Sequence, residues 1–243
     1  CMRAGRTGAR RRGGRAGRRG AVRVEARAVE KDVGVMGTKA GMTSVFTDEG
    51  KMVPVSVIGM KKGGNVVTQV KTKETDGYNA VQVGYEEVRE KLLTKPEVGH
   101  LKKNELPPLR QLAEFKLEEM PEEAYTVGTE LDPTELFSVG DKVDVAGVTV
   151  GKGFSGPIKR YGFHRGPMSH GSKSHREHGT TGPGSTPARV YPGVKHAGQM
   201  GNKRTKIKKL EVVQVEKDMI VVKGAVPGKP GNLLTVTKAK GKA

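Results

Sequence analysis

The sequence predicts a mainly β protein: an antiparallel barrel that carries a long, irregular, basic loop and is interrupted by a small acidic piece. Three observations carry this expectation. Short runs rich in Val, Ile, Thr and Tyr begin at Val33, and several alternate polar and apolar residues, the period of a half-buried strand. Turn signals such as Asp48-Glu49-Gly50 and Asp76-Gly77 separate these runs. From Gly151 to Lys203, Gly and Pro break the chain every few residues, so neither period survives.

In chain order, residues 1–32 come first. Nine Arg occur by position 23 and no acid precedes Glu25, with no apolar periodicity, so no fold is expected there. Arg-rich and acid-poor is the composition of an organelle transit peptide, although the usual serines are missing. A basic RNA-binding arm retained on the protein is the other reading. The strand runs then follow as "VGVMG", "MTSVF", "MVPVSVIGM", "NVVTQVKTK" and "YNAVQVGYEE". Residues 88–137 form the acidic piece, where "LRQLAEFKLEEM" has helical spacing, with Leu109, Leu112 and Phe115 on one face. Strands return in "DKVDVAGVTV", in "KIKKLEVVQVEKDMIVVKGAV" with a hairpin turn at Glu216-Lys217-Asp218, and in "LLTVTK". The expected division is therefore a leader (1–32), a barrel body (33–150 plus 204–237, with the α+β insertion at about 88–137), an extended loop (151–203) and a basic tail (238–243).

Charge locates the partner. The chain of 243 residues has a net charge of +18. By segment the charge is +8 over residues 1–32, zero over 33–90, −5 over 91–150 and +15 over 151–243. From Gly151 to Lys209 there are thirteen Lys/Arg and one acid, Glu177; five of the six histidines also lie there. So dense a field of one sign suits phosphate contact and counterion release. Glycine, 35 of 243 residues, lets backbone approach phosphates closely. The single cysteine, Cys1, excludes an internal disulfide and a Cys-based zinc site. No apolar run reaches the about 18 residues that span a bilayer.

Several motifs imitate chemistry. "GKGFSG" (Gly151–Gly156) matches a dinucleotide fingerprint, but Pro157, Gly162 and Gly166 follow where a helix must start. "GPMSHGSKS" (Gly166–Ser174) misses a phosphate-binding loop by one residue, Ser172. His170, His175 and His178 have no nearby Cys, only Glu177 as a carboxylate, and a positive field that opposes a dication. The preferred reading is hydrogen bonding to phosphate and ribose. Tyr161, Phe163 and Tyr191 either stack on unpaired bases or anchor the loop root. The expected RNA-binding residues are Lys152, Lys159, Arg160, Arg165, His170, Lys173, His175, Arg176, Arg189, Lys195, Lys203, Arg204 and Lys206. No catalytic residue, metal, cofactor, membrane or small-molecule substrate is expected. Two other classes make different demands. An RNA-acting enzyme would lose turnover but not affinity on His170→Ala or His175→Ala. A basic DNA binder, such as a nucleoid or transcription factor, would bind duplex DNA as well as structured RNA.

The residues also resemble a family. "GTKAGMTSVFTDEGKMVPVSVI" (Gly37–Ile58), "TKPEVGH" (Thr94–His100), "GKGFSGPIKRYGF" (Gly151–Phe163), "HGSKSHR" (His170–Arg176), "HAGQMGN" (His196–Asn202) and "VKGAVPGKPGNLL" (Val222–Leu234) resemble, in order, the universal large-subunit ribosomal protein family L-three (L3), in its bacterial and organellar form. The resemblance implies a Greek-key-type β-barrel with an inserted α+β piece and a long extension reaching into large-subunit rRNA toward the peptidyl transferase centre. It also implies an early role in subunit assembly and neighbouring ribosomal proteins as partners. Three positions depart from the family. Ser185 stands where some members carry a methylated glutamine, His196 where many have Met, and Ala188 where Gly is common. The wording of the last third and the Arg-rich leader imply a chloroplast ribosome, with a mitochondrial one as the alternative.

Overall fold

The structure is a computed structural model that describes residues 32–118 and 125–240. The expected leader (except Asp32) and residues 241–243 of the tail lie outside the described residues. Its strands are β1 (Val35–Phe46), β2 (Met52–Gly59), β3 (Asn65–Lys71), β4 (Ala80–Glu87), β5 (Leu109–Lys116), β6 (Lys142–Val148), β7 (Phe154–Ser155), β8 (Gly198–Gln199), β9 (Arg204–Glu216), β10 (Met219–Lys223) and β11 (Leu233–Lys238). Four short helices intervene: α1 (Lys73–Asp76), α2 (Lys95–Lys102), α3 (Pro133–Leu136) and α4 (Pro157–Tyr161). The protein is mainly β.

Six strands pair antiparallel in the order β1-β11-β6-β9-β10-β2, and β2 pairs back onto β1 to close the ring. Alternate side chains of these strands point inward and meet as one apolar cluster: Val35, Ile58, Val143, Val145, Val212 and Ile220, with Val222, Leu234, Val236 and Phe137. Each such side chain, fully buried, stabilises the fold by roughly 1.5–3 kcal/mol. The hairpin expected at Glu216-Lys217-Asp218 is observed, with Glu216 opposite Met219.

A second sheet, β3-β4-β5, packs on the outer face of β1. Consequently the first residues of β1 are buried on both sides: Val35 enters the ring core, while Met36 joins Val67, Val81, Val83, Tyr85 and Phe115 between the layers. A strand buried on both faces reads as a continuous apolar run rather than an alternation. Contact is close enough that a Cβ at Gly34 would lie 2.2 Å from the Val236 carbonyl oxygen. Polar side chains fasten the two layers. Met36 N–H donates to Asn65 Oδ1 at 2.7 Å, and Asn65 Nδ2 donates to the Met36 carbonyl at 2.9 Å. The buried Tyr85 hydroxyl accepts from Lys61 N–H at 3.0 Å and lies 3.0 Å from the Thr38 hydroxyl.

Two expectations change. "LRQLAEFK" is not helical: it forms strand β5, paired with β4 from Ala80↔Lys116 to Glu87↔Leu109. Leu109, Ala113, Phe115 and Leu117 are buried, which is a period of two. The three-residue spacing of Leu109, Leu112 and Phe115 matched a helix by coincidence, and pairing with β4 decided the outcome. The insertion also starts earlier than residue 88, because β3 and β4 belong to the second sheet rather than to the ring. The longest helix of this piece is α2, where the Glu97 side chain accepts from Thr94 N–H at 2.8 Å.

Asn65→Ala leaves the N–H and C=O of buried Met36 unsatisfied. It should cost about 2–4 kcal/mol in chemical denaturation, whereas a loss below about 0.5 kcal/mol would show that these bonds do not hold the layers. Burial raises the Tyr85 phenol above its usual value. A group raised in the fold contributes stability that is fully present below its unfolded pKa of about 10 and is lost as pH rises through the folded pKa. The thermal midpoint should therefore fall above about pH 10, and Tyr85→Phe should flatten that fall while lowering stability at neutral pH by about 1 kcal/mol.

Candidate nucleic-acid interface

The basic loop leaves the ring at the end of β6 and returns at the start of β9, where Val148 and Arg204 are partners in one ladder. The ladder continues outward as a ribbon. Thr149 N–H donates to Lys203 O (3.0 Å), Lys152 N–H to Met200 O (2.9 Å) and Met200 N–H to Gly153 O (2.9 Å), before β7 pairs with β8. Gly201 makes this possible: its φ is +70° and a Cβ there would lie 2.0 Å from Val150 O. Sequence reading found no regular structure in this segment; the structure adds only the β7–β8 pair and one helical turn, α4, ended by Gly162 in the left-handed region.

Beyond α4 the loop is held by its own side chains. Between Gly156 and Arg204 only Pro157 is buried, so there is no apolar core to order it. Arg160 Nη1 donates to His196 O at 2.7 Å. His178 stacks on His196 with ring centroids 4.5 Å apart and planes 13° apart, and its Nε2 lies 2.9 Å from Lys195 O. Phe163 sits 5.8 Å from His178 and Tyr161 sits 6.3 Å from Phe163. A smaller turn forms at His170-Gly171, both at positive φ. Gly166 N–H donates to His175 O at 3.0 Å below it, and His175 Nδ1 lies 2.9 Å from Pro167 O.

This sorts the expected RNA-binding residues. Lys152, Lys159, Arg165, Lys173, Arg176, Arg189, Lys195, Lys203, Arg204 and His170 are exposed. Arg160 and His175 are half-buried, and each uses one nitrogen on a loop carbonyl. Lys206 lies on the ring, where its Nζ is 3.5 Å from the buried Asp144 carboxylate. Asp144 also accepts from Lys209 N–H at 2.9 Å, at a bulge where Lys209 has φ +59°. Of the aromatics, Tyr161 and Phe163 belong to the ring stack, whereas Tyr191 is exposed with the Arg189 guanidinium over it at 5.2 Å. The stack of Phe163, His178 and His196 and the Arg160 clamp escaped sequence reading. They join positions 15 to 36 residues apart across irregular chain, and no local spacing signals them.

Charge pairing separates the loop from the rest. Outside the loop several cations have acid partners, as in Lys51–Glu49 (2.7 Å), Lys61–Glu86 (2.6 Å), Lys71–Glu114 (2.8 Å) and Lys223–Glu211 (3.3 Å). Among the described residues, none of the loop cations from Lys152 to Arg204 has an acid partner. Within the same residues no group of three or more His, Cys, Asp or Glu is arranged to hold a metal, and no helix is long and apolar enough to cross a membrane.

A β body from which an exposed basic loop is held out on a two-stranded ribbon has the charge distribution of a nucleic-acid-binding class of protein. Comparison with known proteins agrees. The family model described as Ribosomal protein L3 matches residues 119–217. Large ribosomal subunit protein uL3c of Nicotiana tabacum is 55% identical over 214 residues, covering 87% of this chain and 82% of the relative. The uL3c of Arabidopsis thaliana is 55% identical over 87% of this chain and 78% of its own length. The uL3 of Thermosynechococcus vestitus is 51% identical over 86% of this chain and 97% of its own. The chain belongs to the ribosomal protein L3 family, in its plastid type. It is a structural component of the ribosome rather than an enzyme, and its compartment is the plastid.

Gly201→Ala should open the loop root. Hydrogen exchange at the Lys152 and Met200 amides should rise by about tenfold or more while the ring amides keep their protection; equal exchange in both proteins would show that the close approach to Val150 is dispensable.

Proposed function

We propose that this chain binds large-subunit rRNA directly through the loop at 151–203, supports early assembly of the subunit, and extends the loop toward the peptidyl transferase centre. One observation carries the reading: among the described residues none of the loop cations from Lys152 to Arg204 has an acid partner, whereas all the ion pairs formed by lysines lie outside the loop. Unpaired cations on a segment without a core repel one another, and a polyanion removes that cost. Lys152, Lys159, Arg165, Lys173, Arg176, Arg189, Lys195, Lys203 and Arg204 contact phosphates, with Lys206 at the ring edge. His170 projects from its turn toward phosphate or ribose. Arg160 and His175 chiefly hold the loop in shape and offer their remaining nitrogens to RNA. The closed ring is read as a Greek-key-type barrel, a body that seats the loop among rRNA and neighbouring ribosomal proteins. Family membership supports the assembly role and the direction of the loop.

The chemistry is positional. The exposed basic groups displace condensed counterions, and the resulting affinity is steep in salt. Replacing Lys152, Lys159, Arg165, Lys173 and Arg176 together by Gln should weaken binding to a large-subunit rRNA transcript. It should also reduce the slope of log K against log salt by up to about one unit per lost phosphate contact. An unchanged slope would remove the loop as the binding element.

A further inference from the structure

One part of the molecule has no role in this account. The β1–β2 hairpin runs past the ring as an arm. The β11–β1 and β10–β2 ladders end at Thr38 and Val55, with further bonds between Lys39 and both Gly231 and Asn232 and from Gly224 N–H to Pro54 O at 2.9 Å; beyond these the arm has only its own two strands. Every residue from Met42 to Met52 is exposed. The register places Met42 opposite Ser56, Ser44 opposite Pro54 and Phe46 opposite Met52, so Met42, Phe46, Met52 and Pro54 share one face. Phe46 is 70% exposed, Met52 65% and Met42 52%. The tip is preformed: Thr47 N–H donates to Lys51 O at 2.9 Å and Gly50 N–H to Thr47 O at 2.8 Å, with Gly50 at φ +74°.

An isolated two-stranded arm is marginal in water, and an exposed apolar face of this kind marks an interaction surface. Its charge identifies the occupant. The tip carries Asp48, Glu49 and Lys51, and Lys51 Nζ is already 2.7 Å from Glu49. No other cation lies between Ala40 and Met60. In a chain of net charge +18 this arm is apolar and acidic, which repels an RNA backbone. A second copy would bring the same acids against themselves in a two-fold contact.

We infer that the arm docks a second, basic protein of the large subunit, whose apolar surface covers Met42, Phe46, Met52 and Pro54 and whose cations meet Asp48 and Glu49. The inference rests on the ribosomal reading above. It is tested by placing the photoreactive residue benzoyl-phenylalanine at Phe46 in one full-length chain and at Met52 in another, each assembled into large subunits washed at high salt. Recovery of the chain in those subunits is measured before irradiation; a chain absent from them refutes the ribosomal reading and this inference with it. In subunits that contain the chain, both positions should join to one and the same basic protein. Asp48→Lys with Glu49→Lys should lower that yield by about threefold or more without changing recovery of the chain. Joining to rRNA, to a second copy, to different proteins at the two positions, or to nothing overturns the inference.

Discussion

The partnership of Val148 with Arg204 in the β6–β9 ladder is the constraint on which the loop depends. Closing the chain between them costs about 3–4 kcal/mol of entropy by loop-length scaling, and the loop offers almost no buried surface to offset that cost. The ring offsets it instead. β6 and β9 are both central to the closed set of strands, and the inward side chains Val143, Val145 and Val212 fix their register from the core. The ladder then runs on as backbone hydrogen bonds past Thr149 and Lys152. The direction in which the basic segment leaves the body is thus set by the apolar core rather than by the loop's own sequence.

Within the loop, side chains divide between holding shape and meeting a polyanion. Arg160 clamps His196 O, His178 stacks on His196, and His175 ties to Pro167 O. These contacts hold the loop in one shape, which would lower the conformational entropy lost on the proposed binding to RNA. The remaining cations stand exposed without acid partners among the described residues. The body carries acids and cations in near balance, several of them in ion pairs, so positive potential is concentrated where the ribbon carries it.

Much of this was readable from the residues alone. The Glu216-Lys217-Asp218 turn, the strand in "LLTVTK" and the concentration of positive charge in the leader and the last third follow from period and composition, which are local properties. The second sheet was harder. "LRQLAEFK" satisfies a helical and a strand spacing at once, and only its pairing with β4 selects the strand. Asn65 and Tyr85 fasten β1 to the second sheet across 29 and 47 residues of sequence, and nothing near either residue announces its partner. The histidines show the same limit. Their residue type suggested contacts to RNA, but His175 and His178 each use a ring nitrogen on the loop's own backbone, a choice set by how an irregular chain folds back on itself.

The most direct test of the account is lysine footprinting of the chain inside and outside the large subunit, with acetylation at each lysine read by mass spectrometry. The account predicts that Lys152, Lys159, Lys173, Lys195 and Lys203 react in the isolated protein and become protected by about tenfold or more in the subunit. Lys73, exposed on α1, provides an internal comparison away from the loop. Loop lysines that react equally in both states would contradict the claim that this segment is where the protein meets rRNA.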